Sequence, residues 1–213
     1  MILSIKEIKK LYQKKIKGVI HIGAHNGEEI QRYIYSGIKN ILLIEANIEK
    51  IKILEKKKKW INFFLNNKIN IENYAITNFK GESKFYITNN SESSSLLKLK
   101  EHRSLYPDIR VRDIVTVNCI TLDELIFSNY EPTDYNFINI DIQGNELNAF
   151  KGAEKLLKNI DVVYSEINLK ELYEGGGLVE ELDDYLNKFG FERKMTSEIH
   201  GNSWGDAFYI KNK

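Results

Sequence analysis

Two periods of hydrophobicity succeed one another along this chain. Short apolar runs near 18–22, 40–45, 61–65, 70–76, 83–88, 114–120, 136–141, 161–167, 190–197 and 206–211 predict strands. Apolar residues at helical spacing near 4–16, 26–36, 47–58, 121–127, 145–158 and 178–188 predict helices between most of them. Alternation of this kind predicts an α/β fold, a mostly parallel sheet with helices on both faces. The last two runs, Phe189 to Met195 and Ala207 to Ile210, have only a loop between them, so they are expected to pair as an antiparallel C-terminal hairpin.

Two stretches stand apart from that rhythm. Residues 1–17 interleave lysines with Ile5, Ile8, Leu11, Tyr12 and Ile16, the spacing of an amphipathic helix that packs against the sheet edge. Residues 89–113 are polar where the alternation would continue, and long polar insertions in small domains commonly cover a site, so they are read as a candidate lid. The remainder, 18–213, reads as one domain. The Lys56-Lys57-Lys58-Lys59 run at a helix end reads as a solvated face.

Composition narrows the partners. A net charge of +1 over 213 residues gives no general basis for binding nucleic acid, and no apolar segment is long enough for a membrane span. The single cysteine, Cys119, forms no internal bridge and fits a reducing, cytoplasmic setting.

The chemistry starts where the first apolar run ends, at Ile22-Gly23-Ala24-His25-Asn26-Gly27, with Glu45 at the tip of the next run. A glycine turn leading to a helix, followed by an acid about twenty residues on, is the layout of a nucleoside site, the acid accepting hydrogen bonds from ribose hydroxyls. Dinucleotide sites use closely spaced glycines to admit a pyrophosphate, but here His25 stands between Gly23 and Gly27. That favours a phosphate-free adenosyl ligand, S-adenosylmethionine, over NAD(P). The parallel sheet closed by an antiparallel hairpin agrees with the Rossmann-like sheet of class I methyltransferases. A nicotinamide-dependent oxidoreductase and a silent cofactor-binding or scaffold module are the competing readings.

The turn at Ile22 to Gly27, the strand end Ile44-Glu45-Ala46-Asn47, the segment Tyr74-Ala75-Ile76, the string Ile120 to Leu125 and above all Ile138-Asn139-Ile140-Asp141-Ile142-Gln143-Gly144-Asn145-Glu146 resemble FkbM-type methyltransferases in order and spacing. The resemblance runs from about Val19 to Ile210. It implies an S-adenosylmethionine-dependent enzyme that methylates a hydroxyl of a sugar, glycan or glycoconjugate. Two positions depart from the family pattern: Thr77-Asn78 after the adenine segment, and Asn139 where a lysine is frequent.

Residue by residue, Gly23, Ala24, His25 and Gly27 are expected at the methionine end of the cofactor, Glu45, Ala46 and Asn47 at the ribose, and Ala75 and Ile76 at the adenine. Asp141, at the end of a central strand, is the first catalytic candidate and also a donor contact. A sugar hydroxyl is a poor nucleophile and needs activation. One source is a hard cation such as Mg²⁺ gathered by Asp141, Glu166 and Asn168; the other is His200 as a metal-free general base. Glu146, opening the helix after the Asp-x-Gln-Gly turn, suits either a capping or an active-site role.

Overall fold

The computed structural model describes residues 8, 10–64, 67–197 and 199–212. Its strands are β1 (Gly18–Ile22), β2 (Asn40–Ile44), β3 (Lys68–Glu72), β4 (Ala75–Ile76), β5 (Gly81–Thr88), β6 (Val111–Ile120), β7 (Phe137–Ile140), β8 (Val162–Asn168), β9 (Phe191–Thr196) and β10 (Trp204–Lys211). The helices are α1 (Ile30–Tyr35), α2 (Ile48–Phe64), α3 (His102–Leu105), α4 (Leu122–Asn129), α5 (Glu146–Lys151) and α6 (Val179–Asn187).

Seven strands form the main sheet in the order β3-β2-β1-β7-β8-β10-β9. The first five run parallel, while β10 lies antiparallel between β8 and β9, so the expected C-terminal hairpin closes one edge. Alternation along each strand sends side chains to two cores. Ile20, Leu42, Ile138 and Val163 pack with Leu125, Phe150 and Leu182 of α4, α5 and α6. Val19, Ile41, Phe137 and Tyr164 pack with Tyr33 and Leu54 of α1 and α2. Helices therefore cover both faces, and strands buried on both faces are largely apolar, as the fully buried β1 is apart from His21.

Four predicted elements change. The strand expected at 61–65 is not formed where it is described: α2 continues to Phe64, and Leu54 and Ile61, two helical turns apart, both point into the second core. The run at 70–76 divides into β3 and β4, because Asn73 turns the chain by donating to the carbonyls of Glu45 and Ala46 at 2.8 and 3.0 Å. The regular part of the 26–36 helix begins only at Ile30, and that of 145–158 ends at Lys151, with a short 3-10 turn at Leu156–Lys158. The helix expected over 4–16 lies partly outside the described residues. Among those described, Ile8, Tyr12 and Ile16 are buried in the second core, and the Tyr12 hydroxyl donates to Asp161 at 2.6 Å.

A second sheet, β4-β6-β5, stands beside the first. It carries β4 toward the carboxyl ends of the main strands, and Ala75 and Ile76 face the cavity there.

Candidate active site

A cavity of about 460 Å³ opens at the carboxyl ends of β1, β2, β7 and β8, the position at which open α/β sheets hold ligands. Its floor is backbone. The Gly23 and Ala24 N–H groups donate to the Ile44 carbonyl at 2.9 and 3.1 Å, tying the ends of β1 and β2. Gly23 has φ +81°, and a Cβ there would stand 1.9 Å from the Asp141 carbonyl oxygen, so only glycine lets β1 and β7 end side by side.

Glu45 sits where that turn meets β2. One carboxylate oxygen accepts the His25 N–H and the other the Asn47 N–H, each at 2.8 Å, and the side chain is buried. Burial pushes its pKa up, opposed by those two N–H groups. Each oxygen keeps a lone pair for a further donor, the arrangement a ribose diol needs. Gly23, His25, Ala46 and Asn47 line the cavity with it. Ala24 and Gly27 do not: Ala24 is buried in the core behind the turn, and Gly27 faces Ile30 and Leu54.

The opposite wall is acidic. After β7 the chain turns through Asp141, Gln143 (φ +57°) and Gly144 (φ +95°) into α5. Glu146, the first residue of that helix, turns back so that its carboxylate accepts the N–H groups of Ile142 (2.8 Å) and Gly144 (3.3 Å). Oxygens of Asp141, Glu146 and Glu166 come within 4.8 Å of one another. The Gln143 amide bridges two of them, donating to Asp141 at 2.7 Å and Glu166 at 2.6 Å while accepting the Tyr173 hydroxyl at 2.5 Å. Burial raises Glu146 to about 7 and holds Glu166 well above the usual carboxylate range, with the charge of Asp141 adding to both. Asp141 is the exposed member of the group.

These oxygens are hard donors of the kind Mg²⁺ takes, and Glu146 joins the set read from sequence. Asn168 lies against Glu166 with its nitrogen 3.5 Å from the carboxylate and its own oxygen without a partner. A cation held by Asp141 and Glu166 together would have to displace the Gln143 amide from between them.

With this geometry in place, the comparisons with known proteins are decisive at the level of family. The sequence profile described as "Methyltransferase FkbM domain" matches residues 21–193. The chain belongs to the FkbM methyltransferase family. Among solved structures it resembles methyltransferase FkbM from Methylobacillus flagellatus, with a TM-score of 0.60 and 13% identity over 91% of this chain and 43% of that one. It thus spans less than half the length of that protein. Magnesium protoporphyrin IX methyltransferase from Synechocystis, solved with bound SAM, gives 0.55 at 8% identity over 98% and 76% of the two chains. The N-terminal domain of human METTL16 gives 0.52 at 13% identity over 97% and 67%. The fold is that of the class I, Rossmann-like methyltransferases. Nothing among curated proteins matches the sequence.

In this FkbM domain, segment 89–113 folds across the cavity. Ser95 pairs with Tyr86 of β5 and donates to the Gln143 carbonyl at 2.8 Å, and the Lys100 N–H reaches the Leu172 carbonyl. The His25 imidazole spans the opening, bonded to Glu28 at 3.1 Å and to Ser91 at 2.8 Å. Of the residues singled out in this segment, Tyr106 reaches the cavity and accepts the Trp204 indole N–H at 2.9 Å, while Arg103, Arg110 and Arg112 lie outside its lining.

His200 also lies outside the lining. Its ring stacks on Trp204 with centroids 4.4 Å apart. The histidine that does reach the cavity from that side is His102, which is buried between Tyr106 and Tyr173, with Nδ1 unpartnered and a pKa lowered by burial. No sequence periodicity marks it, since it sits on the one-turn helix α3 inside the polar segment. Beneath the glycine turn, Asn139 donates to the Tyr33 hydroxyl at 2.7 Å, and that hydroxyl meets His21 at 3.3 Å.

Proposed function

We propose that this chain transfers a methyl group from S-adenosylmethionine to an oxygen of a sugar, glycan or glycoconjugate. The observation that carries the donor is the charge of the cavity: among the described residues Glu28, Glu29, Glu45, Glu92, Asp141, Glu166 and Asp206 line it, against Lys50 alone of the lysines and arginines. A lining this rich in acidic residues repels a pyrophosphate and attracts a sulfonium and an ammonium, so it weighs against a nicotinamide dinucleotide. Glu45 would hold the ribose, Ala75 and Ile76 would flank the adenine, and the Gly23 to His25 turn would face the methionine end. The acceptor class rests on family membership alone.

When bound, the donor supplies a methyl group activated by its positive sulfur. The chain's residues supply alignment and a place for the proton. Gln143 fixes the Asp141 carboxylate at the cavity mouth, where it takes the proton of the acceptor hydroxyl. Burial and the neighbouring acids push the pKa of Glu166 up, and Asp141 is the member of the pair that stands exposed at the cavity. Segment 89–113 acts as the lid that excludes water. Asp141, Glu146 and Glu166, whose oxygens approach one another closely, would be the residues to hold a divalent cation, which would supply a second means of lowering the pKa of the acceptor hydroxyl.

The test is direct. Calorimetry should detect S-adenosylhomocysteine binding and no NAD⁺ binding, and mass spectrometry of sugar nucleotides and glycans incubated with the donor should find a methyl increment. NAD⁺ binding in place of the adenosyl ligand overturns the donor. Tight donor binding with no increment on any acceptor favours a silent module. Mn²⁺ titration followed by electron paramagnetic resonance separates the two activation routes.

A further inference from the structure

The outer side of α2 carries a charge that the rest of the molecule does not share. Between Ile48 and Phe64 there are six lysines and two glutamates, a net charge of +4 in a chain whose total is +1, so the other residues together carry −3. Helical spacing puts Ile48, Lys52, Lys56, Lys59 and Trp60 on one exposed face with Ile53 at its edge, opposite the buried Leu54 and Ile61, while Lys57, also exposed, lies on the flank one turn from each of those two. Lys52, Lys56, Lys57 and Lys59 form no ion pair among the described residues. The one acid on that face, Glu49, pairs with Arg112 at 3.7 Å, which brings in a further cation.

The apolar members matter as much as the charge. Trp60 is 64% exposed, Ile48 54% and Ile53 38%. A merely solvated face has no use for them, and each leaves apolar surface in water. Lysines interleaved with tryptophan and isoleucine on one face of a helix are the pattern of a segment lying in a lipid headgroup region, with the ammonium groups on phosphates and the apolar side chains at the acyl boundary.

We propose that this face of α2 docks the protein on an anionic lipid bilayer surface. The helix begins beside the cavity, where Asn47 and Lys50 contribute to the lining, so a docked molecule would open its site close to the membrane plane. The acceptor suited to that position is a glycan presented at a lipid surface. Nucleic acid fits less well: its phosphates would meet the lysines but also the exposed isoleucines, and a strand extended toward the cavity would run into carboxylates. This inference does not depend on the proposed donor, because S-adenosylhomocysteine binding is measured separately.

Vesicles of phosphatidylcholine with one quarter phosphatidylglycerol, and vesicles of phosphatidylcholine alone, provide the test by co-sedimentation with the full chain. Binding is expected only to the anionic vesicles and should weaken as salt rises. Each lysine near the surface contributes roughly fivefold in partitioning, so Lys52→Gln/Lys56→Gln/Lys57→Gln/Lys59→Gln should lose at least about a hundredfold. Tryptophan emission should shift to the blue on binding in the parent protein and in Trp204→Phe, but not in Trp60→Phe. Circular dichroism and S-adenosylhomocysteine affinity should be unchanged in the lysine variant, which shows that it is folded. Absence of binding to anionic vesicles, binding that survives the four substitutions, or tighter binding to a 20-nucleotide RNA duplex at equal salt would each overturn the proposal.

Discussion

The two walls of the cavity are built in different ways. The wall proposed for the donor, the donor wall, is backbone: the N–H groups of Gly23, Ala24, His25 and Asn47 are all bonded to the end of β2 or to Glu45, within a span of 25 residues. The acid wall is side chain: Asp141, Gln143, Glu166 and Tyr173 come from three separate segments and are joined through one amide. Backbone contacts fix a wall as soon as the strands pair, whereas a side-chain wall depends on every member being present. Damage to the first should therefore act on folding and donor affinity, and damage to the second on turnover.

Gly23→Ala is the severest break, because the methyl group lands on the Asp141 carbonyl at a φ alanine avoids and so strikes both walls at once. A loss of about 3 kcal/mol or more is expected in urea unfolding, together with loss of S-adenosylhomocysteine binding. Next come two substitutions that should separate the walls. Asp141→Asn should lower kcat by roughly a hundredfold or more while leaving S-adenosylhomocysteine affinity within about threefold. Glu45→Ala should do the reverse, weakening that affinity about tenfold to a hundredfold in calorimetry. If Asp141→Asn turns over normally, the proton goes elsewhere, and His102 is the next residue to substitute.

The acid wall should also be visible in the pH dependence of stability. Glu146 has a folded pKa of about 7, above that of an unfolded glutamate, so the native state binds the extra proton. Its contribution is fully present below the unfolded value and is lost as pH rises through about 7. The melting temperature should therefore climb on going from pH 8 to pH 5, apart from groups titrating elsewhere, and Glu146→Gln, which keeps an oxygen for the Ile142 and Gly144 N–H groups, should flatten that rise. An unchanged slope would mean that Glu146 is ionised throughout.

The same contrast explains what could be read from the sequence. The donor wall is local, and its glycines and terminal acid announce themselves between strands whose periodicity is plain. The mostly parallel sheet and its antiparallel C-terminal hairpin were legible for the same reason, though not the order of the strands, while the apolar run at 61–65 misled because a short apolar stretch looks alike in a strand and in the last turn of a helix. On the acid wall, Asp141 and Glu166 were visible as strand-end acids, but the bridging role of Gln143 depends on a positive φ and a partner thirty residues away. His200 and His102 are equally plain in sequence. Only the stacking of the first on the indole and the burial of the second beside Tyr173 distinguish them.

The gentlest test concerns the join between the walls, the imidazole of His25. It belongs to the glycine turn yet bonds Ser91 of segment 89–113, the proposed lid, so it is the place where occupancy of one wall can be felt by the other. His25→Ala and Ser91→Ala should each cost about 1 kcal/mol or less, and the double variant should cost less than their sum because both remove the same bond. Limited proteolysis within 89–113 gives a second measure: cleavage should quicken in both single variants, and S-adenosylhomocysteine should protect the parent protein more than either of them. Additive costs together with equal protection would mean that the lid and the donor turn are merely adjacent, and that donor binding does not set the position of the lid.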